Sequence, residues 1–199
     1  LSRCLTLPFL LKYPLEREVE MKIKAKIMDS RKIAAALKRL AMEVVERNHD
    51  LKNTAIVGIR TRGVFLGERI QKMIEKSEGV TLPLGILDIT LYRDDLSTVG
   101  PHPLVKGTEI PFDVSGKDII LVDDVLFSGR TVRAALDSIV DFGRPNSIQL
   151  LVLIDRGHRE LPIQADYVGK ILPTSRRENV ELKLKETDGA DEVRIVEEE

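Results

Sequence analysis

The run Ile-Ile-Leu-Val-Asp-Asp-Val-Leu-Phe-Ser-Gly-Arg-Thr at 119–131 constrains this chain more than any other stretch. An apolar strand stops at Asp123 and Asp124. A short loop with Gly129 and two hydroxyl residues follows, and a helix-like pattern starts at Val132. That order predicts two carboxylates and unpaired backbone N–H groups at the carboxyl end of a buried strand, where open α/β sheets bind ligands. Gly129 permits close backbone approach, and a helix start offers donors and a partial positive charge suited to phosphate. The carboxylates suit sugar hydroxyls, directly or beside Mg²⁺. A ligand with a phosphate at one end and a ribose at the other satisfies both halves. A Walker-type loop is excluded, because no Gly-Lys-Ser/Thr follows.

The rest of the chain alternates between helix and strand periods. Ser30 is a candidate cap for a helix to about residue 48, with Ile33, Leu37, Leu40, Ala41 and Val44 on one face and Arg31, Lys32, Lys38 and Arg39 opposite. A strand is expected over 54–59, a polar turn at 60–63, a helix over 64–74 and a second strand over 82–91. Residues 93–116 hold two close prolines and no sustained period, which reads as a long mobile loop. The central strand is expected over 118–122, its helix over 131–141, further strands over 147–154 and 165–170, and one or two strands in the charged tail. This alternation predicts a parallel twisted sheet with right-handed crossovers, flanked by helices.

Bulk properties narrow the class. The 199 residues suit a single domain with a substantial core, and 43% are apolar. A formal charge of −1 excludes a uniformly basic nucleic-acid binder but leaves room for a basic patch on one face. The lone cysteine, Cys4, allows no internal disulfide and no thiolate cluster, which points to a reducing cytoplasm. The apolar stretch near the start is broken by Pro8 and Pro14, is too short to span a bilayer, and runs into Glu16, Arg17, Glu18 and Glu20. Residues 1–20 are therefore read as a disordered or artefactual extension and 21–199 as the domain, with no membrane partner.

Residues 122–131 resemble the phosphoribosyl-diphosphate (PRPP) motif of the type I phosphoribosyltransferases. The resemblance implies that family's fold, with a small hood and a long loop over the ligand. It implies that Asp123 and Asp124 hold the ribose hydroxyls, while Val125, Leu126, Phe127, Ser128, Gly129, Arg130 and Thr131 wrap the 5′-phosphate. Thr61 and Arg62 then fall in the diphosphate loop, Arg93 at a further diphosphate contact, and Arg156 beside the nucleobase, with His158 a weaker candidate. Asp123, Asp124, Arg62 and Arg93 are the expected catalytic set. No dedicated metal site is implied; Mg²⁺ is the expected cofactor, carried mainly by PRPP and lying near Asp123 and Asp124.

Four segments narrow the likeness: Leu-Tyr-Arg-Asp-Asp-Leu at 91–96, the 122–131 run, Val-Leu-Ile-Asp-Arg-Gly-His-Arg-Glu-Leu-Pro-Ile at 152–163 and Ala-Asp-Tyr-Val-Gly-Lys at 165–170. Together they resemble the bifunctional pyrimidine-operon regulators with uracil phosphoribosyltransferase activity. That resemblance implies PRPP and uracil as substrates, UMP or UTP as effectors, and pyrimidine-operon messenger RNA as partner. It also implies a homodimer or tetramer. Lys38, Arg39, Arg47, Arg159 and Lys170 match or substitute for the basic RNA-binding positions. Gln164 departs from an expected arginine and Met42 from a common histidine, and each departure removes an RNA donor. Two other readings use the same motifs: a non-catalytic, nucleotide-sensing RNA-binding regulator, and a phosphoribosyltransferase for a purine base.

Overall fold

The computed structural model describes residues 21–92 and 107–198. The expected extension at 1–20, and Arg93 with the first part of the long loop, lie outside the described residues. In chain order the elements are β1 (Met21–Met28), α1 (Ser30–Arg47), β2 (Thr54–Ile59), α2 (Arg62–Glu78), β3 (Leu84–Leu87), β4 (Asp118–Leu126), α3 (Arg130–Val140), β5 (Ser147–Asp155), β6 (Tyr167–Ile171), β7 (Glu178–Lys183), α4 (Lys185–Asp188) and β8 (Glu192–Glu198). Five strands form a parallel sheet in the order β3-β2-β4-β5-β6, and a smaller antiparallel sheet has the order β1-β8-β7.

The large sheet is buried on both faces, which is why β2, β4 and β5 are near-continuous apolar runs rather than alternating ones. Successive side chains leave opposite faces of a strand. Ile56, Ile120, Val122, Leu151 and Leu153 accordingly join a core with the apolar faces of α1 and α2 and with the small sheet. Their neighbours Ala55, Val57, Ile119, Leu121, Leu150 and Val152 join a second core beneath α3. A buried polar cluster pins the end of α1. Asn48 Nδ2 donates to the Tyr167 hydroxyl (3.0 Å), and Gln149 Nε2 donates to Asn48 Oδ1 (2.8 Å).

Local boundaries differ from the sequence expectation where a side chain or a distant strand intervenes. The cap of α1 is Asp29, whose carboxylate accepts from Lys32 N at 2.8 Å, one residue before Ser30. The strand expected over 82–91 is only Leu84–Leu87. Asp88 Oδ1 accepts from Thr90 N (2.9 Å) and turns the chain into a short 3₁₀ segment. The central strand does not stop before the acids. It continues through Asp123 and Asp124 to Leu126, because its pairing with β5 persists to Leu126↔Asp155. β1 had no counterpart in the pattern reading, since it pairs with β8, more than 160 residues away.

The turn after β2 is packed against backbone. A Cβ on Gly58 would lie 2.5 Å from Val64 Cα and one on Gly63 only 2.4 Å from the Val122 carbonyl oxygen. At Gly67 the nearest atom is a side-chain methyl, Ile56 Cγ2, at 3.1 Å. Overpacking costs about 1–3 kcal/mol, and a domain of this size loses roughly 2–4 °C of midpoint per kcal/mol. Gly58→Ala should therefore lower the thermal midpoint by several degrees, and Gly67→Ala by much less. Thermal unfolding of the two variants followed by circular dichroism checks this, and equal midpoints would contradict the packing.

Candidate active site at the switch between two parallel strands

From β2 the chain crosses to β3 on one side, and from β4 to β5 on the other. The winding thus reverses between β2 and β4, which opens a crevice beyond their carboxyl ends. A cleft of about 350 Å³ sits there, lined by residues 59–62, 88–90, 123–125 and Thr131. The fold has brought together Thr61, Arg62, Asp123, Asp124, Val125 and Thr131, all six of them expected at the ligand.

The 60–63 turn joins β2 to α2, with a cis peptide between Arg60 and Thr61. Because α2 begins at Arg62, the unpaired N–H groups of its first turn belong to the cleft rim. Arg62 Nη2 donates to Asp188 Oδ1 and Oδ2 of α4 at 3.0 and 3.3 Å, and its Nε is buried with no hydrogen-bond partner among the described residues. The Thr187 hydroxyl, the Leu184 N–H and the Arg62 guanidinium hold the Asp188 carboxyl down to about 2. Arg60 Nε donates to Gly107 O at 3.1 Å, fixing the point where the described chain resumes after the long loop.

Asp123 is buried and Asp124 partly so. Each spends one oxygen on the next backbone N–H: Asp124 N donates to Asp123 Oδ1 (2.9 Å) and Val125 N to Asp124 Oδ1 (2.8 Å). Burial pushes the Asp123 carboxyl well above the usual carboxylate range, and the neighbouring charge of Asp124 adds to this. Among the described residues no group of three or more His, Cys, Asp or Glu is gathered as a metal cage. Two adjacent carboxylates fit a hard cation that arrives with most of its oxygen ligands already supplied.

Since β4 runs to Leu126, the loop before α3 is only residues 127–129. Gly129 caps α3 at φ 92°, a left-handed conformation that favours glycine. The loop is braced from the β5 side: Glu160 N donates to Ser128 O (2.9 Å) and Arg159 Nη1 to Phe127 O (2.8 Å). Arg130 is exposed and pairs with Glu160 at 2.7 Å. A second cleft of about 580 Å³ opens beside this loop, lined by residues 155–159, Ile163, Gln164, Ile171, Pro173 and Thr174. Arg156 lies on its wall with its guanidinium turned to the 174–179 segment: Nε is 3.2 Å from Thr174 Oγ1 and Nη1 3.3 Å from Asn179 Oδ1. His158, the weaker candidate, lines the same cleft and is held by the Thr174 carbonyl at 2.5 Å.

The basic positions expected on an RNA face are less free than their charges suggest. Arg39 pairs with Glu43 (2.5 Å) and donates to Val168 O (3.1 Å) and Gly169 O (2.7 Å). Arg47 donates to Asp166 O (2.9 Å) and lies 4.9 Å over the Tyr167 ring. Arg159 pairs with Asp155 (2.5 Å) inside its own loop. Lys38 stands on an open groove between α1 and α2 beside Met42, and Lys170 is exposed on the edge strand β6. Sequence reading passed over Arg60 and Asp188 as site residues. Arg60 lies within the expected 60–63 turn, whereas nothing in the chain signals that Asp188 meets a residue 126 positions earlier.

Residues 25–187 match the family model described as phosphoribosyl transferase domain. The chain is 60% identical over 174 residues to bifunctional protein PyrR of Pelotomaculum thermopropionicum, covering 87% of this chain and 96% of that protein. It is 57% identical over 172 residues to the Deinococcus radiodurans protein of the same name (86% and 94%) and 55% over 179 residues to that of Thermus thermophilus (90% and 99%). Among solved structures, a hypoxanthine phosphoribosyltransferase from Trypanosoma cruzi superposes with a TM-score of 0.69 at 16% identity, covering 87% of this chain and 95% of that one. One from Staphylococcus aureus gives 0.65 at 20% identity (86% and 92%), a likeness in fold. The expected type I phosphoribosyltransferase fold, a parallel sheet flanked by helices with a small hood, is thus the observed one, and the chain belongs to the phosphoribosyl transferase family and, within it, to the bifunctional PyrR proteins.

Proposed function

We propose that this chain transfers the phosphoribosyl group of PRPP to uracil, releasing diphosphate and UMP, and that it binds pyrimidine-operon messenger RNA when UMP or UTP is bound. We place it in the cytoplasm as a homodimer or tetramer. No helix among the described residues is long and apolar enough to cross a membrane. The observation that carries the catalytic half is the arrangement at the switch point. Two helix N-termini, those of α2 and α3, flank the adjacent Asp123 and Asp124. One terminus suits the diphosphate and the other the 5′-phosphate, and the carboxylates between them suit the ribose.

The C1–O bond breaks with positive charge growing on the ribose ring, as in glycoside chemistry. Asp123 and Asp124 hold the 2′- and 3′-hydroxyls, and their charge favours the cationic ring. The 60–63 turn takes the departing diphosphate through the first N–H groups of α2 and through Arg62. Arg93 adds a further contact from the long loop. Mg²⁺ carried with PRPP would supply charge neutralisation on the diphosphate beside the two aspartates. No residue is asked to form a covalent bond, so positioning and electrostatic stabilisation supply the rate. A purely sensing role would leave the diphosphate turn without a task, and its close packing on β4 favours retained chemistry. The 16–20% identity to hypoxanthine enzymes speaks to fold and leaves the choice of base to the 152–163 segment.

Asp124→Asn should lower kcat/KM for UMP formation on the order of 10²-fold or more, the scale of losing a charged transition-state contact. The assay supplies PRPP and Mg²⁺ with uracil, hypoxanthine, guanine or orotate in turn and identifies the nucleotide formed. Inosine monophosphate without UMP would move the chain to a purine base, and unchanged turnover of the variant would remove the acid pair from the site.

Asp123 gives a stability test with an opposite sign. Its native pKa lies above the ordinary 3.8, so its contribution is undiminished below that value and is lost as pH rises through the native one. At neutral pH the buried carboxylate opposes folding, and Asn removes the charge while keeping an oxygen for Asp124 N. Ligand-free Asp123→Asn should therefore melt above wild type at pH 7–8, with the gain shrinking towards pH 4, while UMP formation falls. A variant less stable at pH 8 would contradict the buried charge.

For RNA, Lys38→Glu is the informative change, because Arg39 and Arg47 also tie α1 to the 166–169 backbone. Loss of one phosphate contact should weaken leader-RNA binding and reduce the salt slope by about 0.7 for single strands. Gel-shift titrations at several salt concentrations, with and without UMP, measure this. Unaltered affinity and slope would leave the α1 face outside the RNA surface.

A further inference from the structure

Arg156 is a 5% exposed guanidinium at the carboxyl edge of the large sheet, just past the end of β5, and its hydrogen bonds among the described residues all run to uncharged acceptors. Besides Thr174 Oγ1 and Asn179 Oδ1, it donates from Nη2 to the Glu178 carbonyl and, at 3.4 Å, to the Ser175 carbonyl. The Glu178 carboxylate is occupied elsewhere, by Lys24 at 2.6 Å and Ser175 N at 2.6 Å. The guanidinium carbon lies over the Phe127 ring, 4.1 Å from its centre. Burial lowers the Arg156 pKa from its ordinary value, and the nearby charge of Glu178 offsets only part of this.

Phe127 is the first residue of the loop that precedes Gly129. Its ring also meets His158 edge to face, with centroids 6.0 Å apart and planes at 67°. A carbonyl only accepts, so His158 Nε2 carries the hydrogen it presents to Thr174 O. Arg156 and His158 therefore hold the 174–179 segment with their polar ends and both meet the Phe127 ring, Arg156 over its face and His158 edge to face. Thr174 lines the cleft beside this loop, and Phe127 belongs to the loop itself, so one cluster joins both.

We infer that Arg156 is a positioning residue that couples the two halves of the site: by stacking on Phe127 and forking onto the 174–179 segment, it makes the base-side cleft respond to a phosphate bound at the 127–129 loop. This rests on the proposed reaction, in which that loop takes the 5′-phosphate and the 152–163 segment, which lines this cleft, selects the base. Arg156 touches neither ligand in this arrangement. A lysine would keep the charge but lose both the planar stack and the fork. Phe127→Leu would remove the stack from the other side while leaving the guanidinium in place.

Isothermal titration of wild type, Arg156→Lys and Phe127→Leu would measure the affinity for ribose 5-phosphate alone, for uracil alone, and for uracil in saturating ribose 5-phosphate. In wild type the sugar phosphate should tighten uracil at least tenfold, and by linkage uracil should tighten the sugar phosphate equally. Both variants should bring that factor to within twofold of unity, and Arg156→Lys should leave the affinity for ribose 5-phosphate alone within threefold. In steady state the KM for uracil should rise about tenfold with the KM for PRPP nearly unchanged. Coupling retained in either variant, coupling absent from wild type, or equal loss of sugar-phosphate binding would each overturn the inference. Wild-type UMP formation is followed alongside. Its absence would overturn the proposed reaction, whereas UMP formed by wild type with coupling intact in the variants would overturn this inference alone.

Discussion

The contact on which the rest of the site depends is the approach of the 60–63 turn to β4. Gly58 of β2 stands opposite Val122 of β4 in parallel register, and Gly63 reaches back so closely that a methyl group would strike the Val122 carbonyl. Val122 immediately precedes the acid pair. The same backbone contact therefore sets where α2 begins and where Asp123 and Asp124 stand relative to it. A helix N-terminus and two carboxylates from opposite sides of a strand switch are brought together without any side chain spanning the gap.

Several groups at this edge are held in unfavourable states. Asp123 is a buried acid beside a second carboxylate, Arg156 a buried cation whose hydrogen bonds run to uncharged acceptors, and Arg62 keeps a buried Nε without a partner among the described residues. Unpaired buried charge and polar groups oppose folding. The two apolar cores on either face of the sheet offset them, and the small sheet is fastened over the site by charge. Arg69 of α2 meets Glu186 at 2.7 Å and Asp191 at 2.8 Å, and Arg62 meets Asp188 at 3.0 Å. The clip between α2 and the chain around α4 keeps the hood beside the 60–63 turn.

Basic residues on α1 show how surface charges can be engaged within the fold. Arg39 and Arg47 extend away from the apolar face of the helix, as the period indicated. Their guanidinium groups then turn onto backbone carbonyls of the 166–169 segment and complete hydrogen bonding at that edge of the sheet. Arginine suits this task because its rigid fork can serve two carbonyls at once. Lys38 and Lys170 are exposed, on α1 and on the edge strand β6.

By itself the sequence determined the alternation of strand and helix, the apolar runs that make a sheet buried on both faces, and the Asp123–Asp124 pair followed by a glycine-led helix start. These are local matters: burial pattern, turn chemistry and conformational freedom at Gly129 act within a few residues. It also carried enough likeness in the 91–96, 122–131, 152–163 and 165–170 segments to indicate the family. Only the tertiary structure decided that β4 runs on through its acids, since that depends on pairing with β5. Long-range geometry likewise paired β1 with β8, placed Asp188 on Arg62, and set Arg39, Arg47 and Arg159 onto distant backbone carbonyls. The reach of Arg156 to Phe127 and to the 174–179 segment is likewise set by long-range geometry. Hydrogen bonds between residues far apart in the chain leave no periodic trace, so no pattern of single residues reveals which charges they consume.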